Sequence, residues 1–233
     1  MPSKEELIKK IKQKKELSGI PDKVISEELD NYQTKLKINY NSLKPKQFKL
    51  IVKDIRSDLR KCSGMFCFSA KERLDFYPNL KKEIKTLDPQ SILDLGCGLN
   101  PIYLSSKKIK YYAVDINENY LEKVKSFFAK NKIPGKTIPY DLRKIKTNLP
   151  KADLCLIMKV FDVLENKGHK LAEKILNSIH CKYILISFST KTLSGRPMNH
   201  PQRGWIERLL TRLEYKFKTL RSSNEIFYLA EKS

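Results

Sequence analysis

Hydrophobic and polar positions recur in two different rhythms along this chain, and the rhythm changes near Leu87-Asp88-Pro89. Before that point the apolar residues fall every three or four positions. Ile8, Ile11 and Leu17 mark a first amphipathic helix, ended around Gly19 to Pro21. Val24, Ile25 and Leu29 mark a second, and the stretch from Phe48 to Leu59 a third. A fourth begins at Ser69, with Glu72 three positions on. That spacing is a capping box, in which each side chain accepts from the other residue's backbone N–H. After Pro89 short apolar runs alternate with helical patterns. Ser91–Leu95, Lys110–Val114, Thr137–Tyr140, Asp153–Met158 and Tyr183–Phe188 read as strands, the third weakly. Glu118–Ala129 and Lys167–Ser178 read as helices between them. The tail offers a helix at Gly204–Tyr215 and strands at Phe217–Leu220 and Glu225–Ala230. This alternation predicts an α/β sandwich with a mostly parallel sheet, whose ligands sit at the carboxyl ends of the strands near the switch in strand order.

Composition narrows the partner more than the fold. The chain has 233 residues, 40% of them hydrophobic, which is globular and not disordered. Its 47 Lys+Arg against 26 Asp+Glu give a formal charge of +21. Charge of that size favours a polyanion: nucleic acid first, an anionic membrane surface second. From Lys35 to Lys61 there are nine basic residues and two acids, a stripe suited to docking folded RNA. Within it Lys44, Lys46, Lys49, Lys53, Arg56 and Arg60 are candidate RNA contacts. The change of pattern near Pro89 divides the chain into residues 1–88, expected to form a helical docking region, and 89–233, an α/β domain expected to carry the chemistry; the basicity runs across both.

Other classes fall away. Met1 to Lys15 is charged throughout, unlike a secretory signal, and the apolar runs are too short to span a bilayer. The five cysteines are odd in number and scattered, with no CxxC pair. Cys62 and Cys67 lack a second pair, so no metal site is expected. The expectation is a reduced, cytoplasmic protein with no membrane partner.

The chemistry concentrates after the first strand, in Asp94-Leu95-Gly96-Cys97-Gly98-Leu99-Asn100-Pro101. Gly96 and Gly98 allow a tight turn and a close approach of backbone to ligand, and Asn100-Pro101 opens a helix. The second strand ends in Asp115, followed by Ile116. A carboxylate there can accept from both ribose hydroxyls of an adenosine. Asp141, beside Leu142, follows the third strand and could accept from an adenine exocyclic amine. A structural turn with solvated loop acids would explain any one of these alone. The ordered set resembles the Rossmann-like class I S-adenosyl-L-methionine-dependent methyltransferases, here with an N-terminal helical extension. A nicotinamide dehydrogenase is disfavoured because a third glycine is missing.

The acceptor atom decides what else such an enzyme needs. After the fourth strand the chain reads Met158-Lys159-Val160-Phe161-Asp162, not the Asn/Asp-Pro-Pro-aromatic motif of amine methylation. Cys155, inside an apolar strand, reads as a buried inert thiol and not a pyrimidine nucleophile. A ring nitrogen such as guanine N7 presents a lone pair without a proton and needs orientation, not a base.

Four segments sharpen this. Phe68-Ser69-Ala70-Lys71-Glu72-Arg73-Leu74, the Gly-Leu-Asn-Pro of the cofactor turn, Met158-Lys159 with Leu164-Glu165, and Ser187 to Arg196 resemble the Arm/Rmt-type aminoglycoside-resistance 16S rRNA (guanine-N7)-methyltransferases. That resemblance implies methylation of N7 of guanine 1405 of 16S rRNA within the assembled 30S ribosomal subunit; the chain itself is expected to be a monomer. It implies that Arg73 pairs with the methionine carboxylate of the cofactor, a bidentate match. It also implies that Asp94, Gly96, Gly98, Asn100, Asp115, Ile116, Asp141, Leu142 and Met158 form the cofactor site. Lys159 and Glu165 would stand beside the target base, the catalytic pair, with Lys159 alternatively capping a strand end and Glu165 alternatively a solvated helix turn. Lys191 and Arg196, on the loop after the fifth strand, would meet RNA. Trp205 either stacks a flipped base or anchors the last helix.

The chain also departs from that family. Gly96 stands where Ala is frequent, an exchange expected to be harmless, and Asp162 stands where Pro is usual. The N-terminal helices match poorly. A methyltransferase of another rRNA or tRNA site, or a cofactor-binding assembly factor without turnover, remain the alternatives.

Overall fold

Seven strands pair in the order β3-β2-β1-β4-β5-β7-β6, with β1 to β5 parallel and β7 antiparallel to both its neighbours. The computed structural model describes residues 3–40, 43–63, 77–145, 149–165, 168–192, 196–199 and 201–232, with backbone only for 61–63. The strands are β1 (Ser91–Leu95), β2 (Lys110–Asp115), β3 (Gly135–Pro139), β4 (Leu154–Met158), β5 (Tyr183–Ser189), β6 (Lys216–Arg221) and β7 (Glu225–Glu231). The chain runs outward through β1, β2 and β3, then returns to start β4 on the other side of β1. That reversal opens a crevice at the carboxyl ends of β1 and β4, where α/β sheets bind ligands.

Burial explains which strands were plain in sequence. β4 and β7 are buried almost throughout, so they are nearly continuous apolar runs. β3 is an edge strand with no fully buried residue and a Pro at its end, hence its weak signal.

Nine helices are described. Three of them, α1 (Lys4–Lys12), α2 (Asp22–Leu36) and α3 (Pro45–Ser63), precede the sheet and close on their own core of Leu7, Ile11, Ile25, Leu29, Ile55 and Leu59, among others. A capping box of Ser3 and Glu6 starts α1. Leu17 is not on α1; it sits in a separate 3-10 turn, Lys15–Leu17. Next comes α4 (Tyr77–Thr86); its expected start at Ser69 and the Glu72 cap lie outside the described residues. Tyr77, Leu80 and Ile84 pack with the sheet, so α4 joins the strands and not the first three helices.

The remaining helices are α5 (Asn100–Leu104), α6 (Glu118–Asn131), α7 (Phe161–Leu164), α8 (Lys170–Ser178) and α9 (Gly204–Arg212). The helix expected from Lys167 begins at Lys170, because Gly168 and His169 both take positive φ. Similarly, α9 stops short of Tyr215 where Glu214 turns left-handed at φ 60°. The four-residue α7 was not legible: one turn carries no periodicity.

Candidate active site

The turn after β1 is built by backbone geometry that only glycine takes readily. Gly96 has φ +62° and Gly98 φ +50°. The Cys97 N–H donates to Val114 O at 2.9 Å, folding the turn across the end of β2. This brings the Gly98 N–H to Asp115 Oδ2 at 2.8 Å, while the Asn117 N–H donates to Oδ1 at 2.8 Å. Asp115 is buried, and burial pushes its carboxyl up to about 6 despite these amide donors, which pull the other way. Ile116 beside it is buried too.

The same turn gathers further residues. Asn100, buried at the start of α5 with Pro101 behind it, accepts from the Tyr77 hydroxyl at 3.0 Å and points its amide at Met158 Sδ, 3.8 Å away. Asp94 accepts from the Tyr111 hydroxyl at 2.8 Å; burial, then the Asp94 charge, raise that phenol well above its usual value. A Cβ at Gly96 would lie 3.9 Å from Leu142 Cδ1. The structure thus brings Asp94, Gly96, Gly98, Asn100, Asp115, Leu142 and Met158 around one crevice. Asp141 caps the 3-10 turn Leu142–Lys144 and is gripped by Arg143, whose guanidinium reaches both carboxylate oxygens at 2.9 and 2.7 Å. Arg73 lies outside the described residues.

Lys159 follows β4 with φ 59° and is buried. Its N–H donates to Ser187 O and Oγ, and its ammonium lies 3.5 Å from Glu225 Oε2. Glu225, fully buried at the start of β7, was missed in the sequence; the one signal was an acid opening an otherwise apolar strand. Glu165 accepts from the Ala172 N–H and so caps α8, with His169 Nδ1 3.5 Å from its other oxygen. Asp162 accepts from the Ser189 N–H at 2.7 Å and from Arg203 at 3.2 Å, tying α7 to the end of β5. Burial raises the Asp162 carboxyl above its ordinary value, by more than these donors lower it. Cys155 is buried within β4, where burial pushes its thiol up and away from reactivity.

Lys191 bridges to Pro197, bringing Thr192 and the exposed Arg196 together at the base of a loop whose residues 193–195 are outside the described residues. Trp205 packs edge-on against Phe188 and Phe161, with His169 stacked on its face at 3.9 Å, so it anchors α9.

The helical extension touches this crevice directly. The Glu118 N–H donates to Gly19 O at 2.8 Å, and the Asn117 amide reaches Glu16 O at 3.4 Å. Arg143 also pairs with Glu28, and Lys144 with Glu27. Lys44, just before α3, and Lys46, Lys49 and Lys53 on it are exposed. Arg56 instead bonds the end of α1 at Lys10 O and Ile11 O, and Arg60 holds Glu16 at 2.8 Å. Between α1 and α3 lies a basic groove of about 290 Å³ lined by Lys10, Lys14, Lys49 and Lys53 with Phe48 and Val52.

A parallel sheet with an antiparallel seventh strand, a two-glycine turn after β1 and a buried acid ending β2 define a class I methyltransferase. The chain belongs to the ribosomal RNA methyltransferase (FmrO) family, whose model matches residues 60–229. It is 24% identical to a 16S rRNA (guanine(1405)-N(7))-methyltransferase of Micromonospora rosea over 70% of this chain, a match spanning 62% of that relative's length. The corresponding enzyme of Serratia marcescens is 29% identical over 76% of this chain and 71% of its own. Among solved structures, the 16S rRNA methylase RmtB aligns over all of both chains at 20% identity, with a TM-score of 0.76. RmtF, in complex with S-adenosyl-L-homocysteine, aligns over 99% and 98% at 20% identity, with a TM-score of 0.74. These likenesses are to the fold.

Proposed function

We propose that this chain is a 16S rRNA (guanine-N7)-methyltransferase that takes its methyl group from S-adenosyl-L-methionine. Its substrate is the assembled 30S subunit, its target the guanine equivalent to 1405, and its consequence aminoglycoside resistance. The observation that carries the reading is the Gly98–Asp115–Asn117 arrangement at the crevice, in a chain of the ribosomal RNA methyltransferase family.

The residues present fit that cofactor. Asp115 presents an acceptor pair at the end of β2, suited to two ribose hydroxyls. Gly98 holds the carboxylate by its N–H and has no side chain to obstruct a ligand. Leu142 and Ile116 supply apolar walls for an adenine and Asp141 an acceptor at its rim; Arg73, outside the described residues, is proposed as the bidentate partner of the methionine carboxylate. The sulfonium of the bound cofactor supplies the electrophilic methyl. The chain's task is to hold guanine N7 in line with it and exclude water, since N7 brings its own lone pair. Lys159 and Glu165 are the residues proposed beside the base, with Lys191 and Arg196 on the RNA side of the mouth. The helical extension, α1 to α3, docks RNA through Lys44, Lys46, Lys49 and Lys53, with Arg56 and Arg60 bracing α3, and the sheet domain, to which α4 belongs, catalyses. Among the described residues no helix is long and apolar enough to cross a membrane; the working form is a cytoplasmic monomer.

Labelled cofactor incubated with assembled small subunits, free 16S rRNA and transfer RNA tests this. Incorporation into subunits alone is expected. Incorporation into another RNA would assign a different site, and cofactor binding without transfer would make the chain an assembly factor.

A further inference from the structure

Two oppositely charged side chains lie buried together where β4 ends and β7 begins, at the same end of the sheet as the crevice. The Lys159 side chain is 2% exposed and that of Glu225 0%, with 3.5 Å between Nζ and Oε2. A buried ammonium or carboxylate is costly unless it is paired and hydrogen-bonded. Glu225 meets that need twice over. Its Oε2 faces the ammonium, and its Oε1 accepts from the Ser187 hydroxyl. The Ser187 oxygen in turn accepts from the Lys159 N–H at 3.1 Å. Glu225 therefore holds Lys159 at both ends, by its side chain directly and by its backbone through Ser187.

What is held matters because of its neighbours. Met158, on one side, lies against Asn100 of the cofactor turn. Val160, on the other, packs against Gly96, where a Cβ would come within 2.7 Å of its Cγ2. Lys159 itself takes a left-handed backbone, φ 59°, which non-glycine residues keep only when surroundings enforce it. The Ser187 and Glu225 contacts are that enforcement.

We infer that Glu225 is a positioning residue for methyl transfer, acting through Ser187 and Lys159 to fix the lysine between the cofactor turn and the target base. The inference rests on the proposed placement of Lys159 beside the base. With its ammonium taken up by Glu225, what Lys159 presents is its fixed backbone between Met158 and Val160, which lie against the cofactor turn.

The test measures methyl transfer to assembled small subunits by the full chain and its Glu225→Gln, Glu225→Asp, Lys159→Met and Glu225→Gln/Lys159→Met variants, with cofactor affinity by calorimetry. Glu225→Gln should lower kcat about tenfold or more with cofactor affinity within about twofold, and the double variant should be no slower than Lys159→Met. Glu225→Asp, which keeps the charge, should recover part of the rate. Wild-type kcat in Glu225→Gln, or losses that multiply in the double variant, would overturn the inference. If Glu225→Gln does not fold, Glu225→Asp carries the same comparison. A second readout needs no RNA: acetylation of Lys159, followed by mass spectrometry, should be slow in the wild type and faster in Glu225→Asp, and equal protection would overturn the proposal. An inactive wild type would remove the functional reading and leave that labelling result to decide.

Discussion

At Gly96 a side chain would meet Val160 Cγ2 at 2.7 Å on a backbone already at φ +62°. The exchange with Ala that the sequence pattern makes look harmless is therefore not free in this chain. Gly96→Ala should destabilise by about 1–3 kcal/mol in a denaturant titration, through crowding and left-handed strain together. Adding Val160→Ala should return part of that loss; an unchanged midpoint in Gly96→Ala would refute both causes. Asp115 makes a second residue-level prediction. Its carboxyl is raised to about 6, so above that pH it is the ionised acceptor and below it is protonated. Cofactor affinity should be flat above pH 7 and about tenfold weaker one unit below 6, as titration of a single group requires. The folded state keeps this proton from the ordinary carboxylate range up to about 6, where the unfolded chain has lost it. The group's contribution to stability therefore falls as pH rises through that window, and Asp115 does not drive acid unfolding. A flat calorimetric affinity from pH 5 to 8 would contradict the role. The Gly96, Gly98 and Asp115 positions were legible because each stands at a fixed place relative to a strand end. Glu225 was not, because a single acid at a strand start has no spacing to reveal its buried partner.

Among the elements, the contact between the 3-10 turn Lys15–Leu17 and the start of α6 explains a residue that sequence reading treats only as a helix stop. A Cβ on Gly19 would lie 2.0 Å from Asn117 Oδ1. Gly19 O also accepts from the Glu118 N–H, and the Asn117 N–H holds Asp115. Gly19→Ala should thus cost about 1–3 kcal/mol and weaken cofactor binding as well, by disturbing the Asp115 cradle from the far side. Loss of stability with unchanged calorimetric affinity would show that the extension does not reach the crevice. Strands in the middle of the sheet were readable from their apolar runs, and α6 from its period. The start of α8 and the end of α9 were misplaced because the helical pattern runs on through Gly168-His169 and Glu214, whose backbones turn left-handed. The docking of the first helices was invisible, since Glu16, Gly19 and Glu28 find their partners about a hundred residues away.

For the whole molecule, the charge of +21 is spread over the helical extension and the sheet domain alike. Its exposed part at α3 is Lys44, just before the helix, with Lys46, Lys49 and Lys53 on it, while Arg56 and Arg60 are engaged with α1 and Glu16. Replacing Lys46, Lys49 and Lys53 by Ala should weaken binding to small subunits and reduce the slope of log affinity against log salt by up to about three, with cofactor binding unchanged. An unaltered slope would move the docking surface elsewhere. Composition made a polyanionic partner legible; which cations face outward depended on packing that no local pattern encodes. The central claim is methyl transfer to one guanine N7, and it is tested most directly by mapping that base. Small subunits treated with the chain and S-adenosyl-L-methionine are reduced and cleaved at N7-methylated guanines, and the 16S rRNA is read by primer extension. A single new stop at the guanine equivalent to 1405, absent without cofactor, is the predicted result. Cleavage at a different base, or labelled subunits with no cleavage at any guanine, would contradict it.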